Sequence, residues 1–278
     1  MIINMGYRGK VGASVPEFTY TGDYNVREDG VVELLTSGTL VFLNPAVIDV
    51  FCVGGGGAGG GMISGTIQFG KGLGGGGGGY TTTQKKINVN GNYNVTIGNG
   101  AISSTTTEIA DGETTSFGNL VTALGGISVK LNRDPAHVIG SGAAGGSGGG
   151  GGRISNQTVD AFGGSDGSNG QPEASVAGSV GSGGNGQGTT TREFGETAGK
   201  LYAGGGGGGT YFFSSTPVYS PGGAGGGGAG GWVGQRVQKA GDGSANTGGG
   251  GGGAVCGGNQ STAGGDGGSG ICCFRRAK

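Results

Sequence analysis

The sequence predicts an all-β protein: an antiparallel β-sandwich joined to a bundle of polyglycine II helices, with little or no α-helix. Three observations lead there. Short segments rich in β-branched and aromatic residues fill the first 130 positions, runs of four to six glycines recur along the chain, and the chain closes with the apolar segment ICCF. No segment carries the apolar stripe of an amphipathic helix.

The strand candidates are short and are separated by turn formers such as Asn-Gly and Asp-Gly. They are EFTYTG from Glu17, VVELLTS from Val31, TLVFL from Thr39, AVIDVFCVG from Ala46, YTTTQKKINV from Tyr80, NYNVTIG from Asn92, TTSFG from Thr114, and LVTALGG and ISVKL between Leu120 and Leu131. In VIDVFCV, Ile48, Val50 and Cys52 alternate with Phe51 and Val53, so this strand is predicted to be covered on both faces.

The glycine runs are predicted to be packed structure. Glycine makes up 80 of 278 residues, but with only 6 prolines and no sustained Gly-X-Y register the chain is not collagen. Six glycines in the threefold extended helix span roughly 19 Å, with backbone groups that neighbouring rods can satisfy. The alternative is a set of disordered linkers. Similar run lengths, interruptions by single alanines and flanking strands favour a cooperative bundle, which alone offsets the entropy of ordering glycine.

The strand and glycine signals divide the chain. Residues 1–35 are predicted to hold an N-terminal attachment segment and the first strands, and residues 36–278 to form the glycine-rich domain. Within that domain, residues 36–135 are mainly β-sandwich, residues 136–270 are polyglycine rods with loop inserts, and residues 271–275 are a closing strand that returns to the sandwich.

Composition argues against several functions. The net charge is −1 and no basic patch suggests nucleic acid, while no apolar run reaches the roughly 18 residues of a membrane span. The start MIINMGYRGK lacks the apolar core of a signal peptide, so synthesis in a cytoplasm without Sec export is expected. The four cysteines form no C-x-x-C pair, and three of them lie in apolar strand-like runs that favour small, buried, reduced side chains.

Chemistry-bearing constellations are not visible. Glycine abundance makes G-x-G-x-x-G matches uninformative, and GTIQFGKG from Gly65 lacks the Ser or Thr of a P-loop. The aspartates in SDGS, GDGS and GDGG are better explained by Asx-turns than by calcium. With a single histidine, no catalytic arrangement stands out, so the protein is expected not to be an enzyme and to need no metal or cofactor.

Several quoted segments together resemble the glycine-rich domains common in phage and prophage tail-fibre and receptor-binding proteins. They are TSGTLVFLNPAVIDVFCVGGGGAGGG, GGGGGGYTTTQ, YNVTIGNG, TTSFGNLVTALGG, NTGGGGGGAV and GGDGGSGICCFRR, which cover most of the chain from Thr36. The architecture is more distantly similar to the tip adhesins of T-even-like phages. The glycine pattern also resembles the extracellular region of anaplastic lymphoma kinase receptors, whose kinase, membrane span and disulfides this chain lacks. Cys272 and Cys273 stand where family members usually carry valine or isoleucine.

The resemblance implies that loops between polyglycine rods contact a bacterial receptor. The candidate contacts are Tyr211, Phe212, Phe213, Tyr219, Trp232, Arg133, His137, Arg192 and Lys200. Aromatic side chains on a rigid scaffold suit sugar stacking or protein anchoring, while the alternative for them is a small core that caps the bundle. The tyrosines are favoured for exposure and the phenylalanines for burial. The charged candidates have the alternative of a plain solvated surface.

The sequence therefore predicts a tail-fibre receptor-binding protein of a virion, made in the host bacterial cytoplasm. Expected partners are a bacterial surface glycan or outer protein and other tail-fibre or baseplate subunits, with no nucleic acid and no membrane span. A homotrimer and a single tip subunit both fit the motifs. The alternatives are a purely structural virion or tail component and a spore-coat or other bacterial surface protein. An antifreeze role would require a regular polar face with three-residue spacing, which the sequence lacks.

Overall fold

The computed structural model describes residues 15–61, 72–105, 108–130, 140–152, 191–211, 220–233, 237–255 and 262–278, with the backbone alone at 211, 233 and 237. The strands are β1 Phe18–Tyr20, β2 Tyr24–Val26, β3 Val32–Leu34, β4 Gly38–Val53, β5 Thr81–Thr96, β6 Thr115–Phe117, β7 Val121–Ala123, β8 Thr210–Tyr211, β9 Trp232–Val233, β10 Val237–Gln238 and β11 Ile271–Arg276. Within the described ranges the helical content is one 3₁₀ turn, Glu193–Gly195, so the all-β prediction is confirmed.

Eight strands form one antiparallel sheet in the order β2-β3-β11-β4-β5-β6-β7, and β1 pairs with the first part of β4. The last strand lies between β3 and β4, with Phe274 opposite both Val32 and Val50. The predicted return of the closing segment is therefore confirmed. Strands β1 to β3, which precede residue 36, are integral to this sheet.

Two predicted pairs of strands are each a single long strand. TLVFL and AVIDVFCVG lie together in β4, and YTTTQKKINV and NYNVTIG lie together in β5. Register shifts between Phe42 and Ala46 and between Ile48 and Val50 show why: bulges absorb the turn-forming residues without ending the strand. Gly91, predicted to form a turn, sits inside β5 with a φ of 76°.

The segment ISVKL, predicted as a strand, has no strand structure over its described residues 127–130. Its backbone instead bonds to glycine-rich neighbours, with Ile127 N–H donating to Ala144 and the Ile127 carbonyl accepting from Gly77. The segment therefore runs alongside the glycine runs and does not extend the sheet, with Ile127 exposed and Val129 buried.

The core lies between two parts of the sheet that face each other. Phe18 of β1 packs edge-on against Phe274 of β11 at 5.3 Å between ring centroids, and Phe42 packs against Phe274 at 5.5 Å. The same core holds Ile48, Val50 and other buried side chains. The facing layers of the sandwich thus arise from one sheet that doubles over along its long strands.

The other face of β4 and β11 is also covered, as the sequence predicts. Phe51 and Cys273 pack under Phe194, Tyr202 and Ala203, which belong to the segment 191–203. The Phe51 and Tyr202 rings lie 5.3 Å apart. This second cluster joins the sheet to the start of a buried glycine run.

The glycine runs are bonded sideways to one another with a three-residue repeat. Every third N–H along 54–60 donates to the run 74–80, and the intervening ones donate to other neighbours. The donor and acceptor pairs are Gly54 to Tyr80, Gly57 to Gly77, Gly60 to Gly74, Gly56 to Gly268 and Gly59 to Gly265. A threefold helix presents its donors in this way. The polyglycine II assignment itself stays a prediction, and its required pattern of lateral bonds is present.

The glycine runs begin and end at the ends of strands of the sheet. The rod after Val53 leaves β4, and the rod ending at Gly79 leads into β5, with Gly79 N–H donating to Gly248 and Gly54 N–H to Tyr80. We call the end of the bundle that joins these strands the sheet end and the opposite end the far end.

Candidate functional site

The far end of the bundle is where most of the inserts between glycine runs begin and end. Described residues on both sides of the segments 62–71, 212–219, 234–236 and 256–261 lie there. A chain of contacts links them: Gly72 bridges Val255, Leu73 N–H donates to Ala254, and Gly209 N–H donates to Leu73. The rods therefore place the described flanks of several inserts close together at one end of the bundle.

Three short turns at the sheet end lie wholly within the described residues. The chain reverses at Gly146 and Ser147, at 224–226 and at 244–247. Thr247 illustrates the last of these: its hydroxyl donates to the Ser244 carbonyl at 2.7 Å. The described residues thus place compact turns at the sheet end and the flanks of most inserts at the far end. The insert 153–190 differs, because Gly152 before it lies at the far end and Thr191 after it, whose carbonyl accepts from Tyr202 N–H, lies at the sheet end.

A small sheet of β8, β9 and β10 lies at the far end and holds two of the predicted contact residues. Thr210 and Tyr211 pair in parallel with Trp232 and Val233. Trp232 is half-buried. The structure therefore places the backbone of Tyr211 beside the strand that carries Trp232, although 21 positions separate them in the chain.

The entry and exit of the aromatic segment lie together. The hydroxyls of Thr210 and Ser220 are both buried and hydrogen-bonded at 3.1 Å. Phe212, Phe213 and Tyr219 fall between them, outside the described residues, so their predicted exposure or burial stays a prediction.

Arg133 and His137 also lie outside the described residues. The flanking chain ends at Lys130 and resumes at Gly140. Val129 N–H donates to Ala58, and Gly152 N–H donates to Gly140, which places both flanks toward the far end.

Arg192 and Lys200 lie at the sheet end, away from Trp232. Arg192 donates to the Gly199 carbonyl at 3.2 Å and forms an isolated bridge with Leu201. Lys200 lies 3.8 Å from a Glu33 carboxylate oxygen and 4.8 Å from the centre of the Tyr202 ring. The structure therefore separates these two cations from Trp232, and both make contacts within the protein.

Two arginines clamp the segment 191–203 onto the sheet, a feature that sequence reasoning missed. Arg27 binds the Glu193 carboxylate through two hydrogen bonds of 3.0 and 2.5 Å. Burial disfavours the charged form of Arg27, but the hydrogen bonds that it donates to Glu193 and Asp29 raise its pKa overall, so it stays protonated. Glu193 also accepts from the Tyr202 hydroxyl, and burial raises the pKa of that phenol.

The second clamp joins β11 to the same segment. Arg275 donates to Glu196 at 2.5 and 3.0 Å and to Asp49 at 3.2 Å, and its guanidinium lies 4.0 Å from the centre of the Phe194 ring. Hydrogen bonding from Arg275 lowers the pKa of Glu196 to about 2. The partners are 79 and 226 positions apart, so only the charged composition of TTTREFGETAGKLY hinted at this role.

An open groove of about 600 Å³ lies at the other extreme of the molecule from the far end. Its lining includes Pro45, Val47, Tyr93 and Arg276. Leu43, two positions before Pro45, is exposed, and its N–H donates to the Glu17 carbonyl directly before strand β1. The described chain thus enters the domain beside this groove.

The described residues contain no group of three or more His, Cys, Asp and Glu side chains placed to hold a metal ion. They also contain no helix long and apolar enough to cross a membrane. Cys52, Cys272 and Cys273 are buried, as the sequence predicts for these three cysteines.

These features define an all-β domain whose sheet carries a laterally bonded bundle of glycine runs. The chain belongs to the glycine-rich domain family, whose family model matches residues 36–277. A search among curated proteins found no match.

Proposed function

We propose that the protein is a tail-fibre receptor-binding protein of a phage or prophage, and that segments at the far end of the glycine bundle recognise a bacterial surface glycan or outer protein. The resemblance of its segments to such domains suggests the class. The observation that carries the proposal is where the inserts join the bundle: the described flanks of every insert except the C-terminal flank of 153–190 lie toward the far end, while compact turns and the sheet occupy the other end.

Rigidity of the bundle supports this use. Each buried rod is held by backbone hydrogen bonds to several neighbours, so the flanks of the inserts are fixed relative to one another. A binding surface on fixed supports loses less conformational entropy when it engages a partner. Parallel pairing of β8 with β9 brings Tyr211 and Trp232 into the same part of this end, where aromatic side chains suit sugar stacking.

The part of the sheet around the groove, remote from the bundle, suits attachment to the rest of a fibre or baseplate. Strand β1 pairs with β4 at Leu40 to Phe42, shortly before Pro45 of the groove, and Val47 is an exposed apolar side chain that lines the groove. In this arrangement the protein is made in the host cytoplasm, joins other tail subunits through its N-terminal side and presents the far end to the next host.

The test is binding of the fluorescently labelled protein to a panel of whole bacteria and to their stripped envelopes. A variant with Tyr211→Ala and Tyr219→Ala is compared with Val47→Ala, which changes an exposed apolar side chain at the opposite end. Selective binding that is lost in the double variant and kept in Val47→Ala supports the proposal. A folded parent that binds no strain on a broad panel points instead to a structural virion or tail component.

A further inference from the structure

Two buried thiols from distant parts of the chain lie side by side in the sheet. Cys52 of β4 and Cys272 of β11 are direct cross-strand partners. Their Sγ atoms are 3.5 Å apart, and 220 positions separate them in the sequence. Both side chains are fully buried in the core between the layers.

The register makes this pair geometrically suited to a covalent bond. Directly opposed residues of antiparallel strands have Cα atoms about 4.5 to 5.5 Å apart, within the range of about 4.4 to 6.8 Å that disulfides span. The Sγ atoms need only approach from 3.5 Å to the bond length of about 2.05 Å. A change of side-chain torsion achieves this without moving either strand.

We propose that Cys52 and Cys272 form a disulfide site that covalently joins the closing strand to β4. With a peroxide as the oxidant, one thiol is converted to a sulfenic acid with release of water. The second thiol then attacks that sulfur, expels a second water and forms the S–S bond. Two thiol hydrogens and two electrons pass to the peroxide, which becomes two molecules of water.

The third described cysteine is a natural control. Cys273 lies on the opposite face of β11, in the cluster with Phe51 and Tyr202. It pairs across the strands with Phe51 and Glu33, so no thiol faces it from either neighbouring strand. Burial raises the pKa of the Cys273 thiol, and the hydrogen bond with Cys52 together with burial raises that of Cys272. Thiolate is therefore scarce, and closure is expected to take longer than for exposed thiols.

The bond encloses nearly the whole glycine bundle. The chain between Cys52 and Cys272 contains every glycine run, so the cross-link fixes the two points where the bundle leaves and rejoins the sheet. Restricting so long a loop in the unfolded chain is expected to raise the melting temperature by at least about 5 °C.

The experiment uses full-length chains with Cys256→Ser, so that three cysteines remain. The native parent, a Cys52→Ala variant and the matched Cys273→Ala variant are treated with hydrogen peroxide, alkylated after denaturation and mapped by peptide mass spectrometry. The parent and Cys273→Ala should lose two alkylatable thiols, yield a Cys52–Cys272 cross-linked peptide and melt at a higher temperature than their reduced forms. Cys52→Ala should show none of these changes.

Two results would overturn the proposal. The native parent could add oxygen to its thiols without forming a cross-link, while the same chain unfolded in denaturant closes one. Alternatively, the cross-link could map to Cys272 and Cys273, which would show that chain proximity rather than the cross-strand register decides the pairing.

Discussion

Replacing Gly206 with valine tests the packing of the glycine bundle directly. Gly206 is buried in the run 204–209, and its N–H donates to Gly76 while its carbonyl accepts from Gly150. A Cβ atom at this position would lie 2.0 Å from the Gly251 carbonyl oxygen, where ordinary contact begins at 3.4 Å. Valine adds two further methyl groups to that overlap.

The loss of stability in Gly206→Val can be estimated from the backbone movement that the added side chain requires. Relieving the overlap requires the runs that contain Gly206 and Gly251 to separate by about 1.4 Å, the difference between those two distances. This stretches the two hydrogen bonds that join the runs, from Gly250 N–H to the Gly204 carbonyl and from Gly253 N–H to the Gly207 carbonyl. Each buried backbone group left unsatisfied costs about 1 to 3 kcal/mol. The expected loss is therefore at least about 4 kcal/mol, a large fraction of the roughly 5 to 15 kcal/mol by which domains are stable.

The assay is urea unfolding followed by circular dichroism and by fluorescence of Trp232, the single tryptophan. Gly91→Asn is the matched control, because Gly91 lies at φ 76° with no heavy atom within 4 Å of an added Cβ, and asparagine tolerates this conformation. The Gly91→Asn variant should lose less than about 1 kcal/mol of stability. If Gly206→Val unfolds cooperatively at the parent's midpoint, the reasoning from touching backbones is refuted.

Two further predictions concern the clamp and the far end. Glu196→Gln should destabilise the protein by about 1 kcal/mol at pH 7, a modest value because the carboxylate is partly exposed. Since bonding to Arg275 lowers the pKa of Glu196 from 4.5 to about 2, the parent's advantage should be complete above about pH 5 and vanish as the pH falls toward 2, and urea midpoints across that range check the sign. An advantage that persists unchanged at pH 2 would contradict this account. Replacing residues 212–219 with a four-residue Asn/Gly turn should change the free energy of unfolding by no more than about 0.5 kcal/mol, because the Thr210 and Ser220 hydroxyls already meet at 3.1 Å. A large loss of stability would place these residues in the core of the bundle.

Much of the architecture was readable from local pattern. Alternation in VIDVFCV correctly assigned Ile48 and Val50 to one buried face and Phe51 to the other. The apolar closing segment correctly indicated a strand that returns to the sheet. These inferences succeeded because successive side chains of a strand point to opposite faces, so the alternation of residues along the sequence shows which face is buried.

Local pattern failed where neighbours decide the structure. The turn formers around Gly91 predicted a strand break, but pairing with β4 carries β5 through that position. The segment beginning at Ile127 has strand composition, yet its backbone groups bond to rods on either side. Propensity is weak beside the requirement that each buried N–H and C=O find a partner.

The candidate site was only partly predictable for the same reason. Glycine composition and run lengths by themselves determined an all-β, glycine-packed domain, because no other residue lets backbones approach so closely. Tertiary structure alone decided which rods touch, that the flanks of the inserts gather at the far end, and that Lys200 lies beside the sheet while Trp232 lies at the far end. Identical glycine runs carry no side chains to specify their neighbours, so the register is set by the strands and clamps that hold their ends.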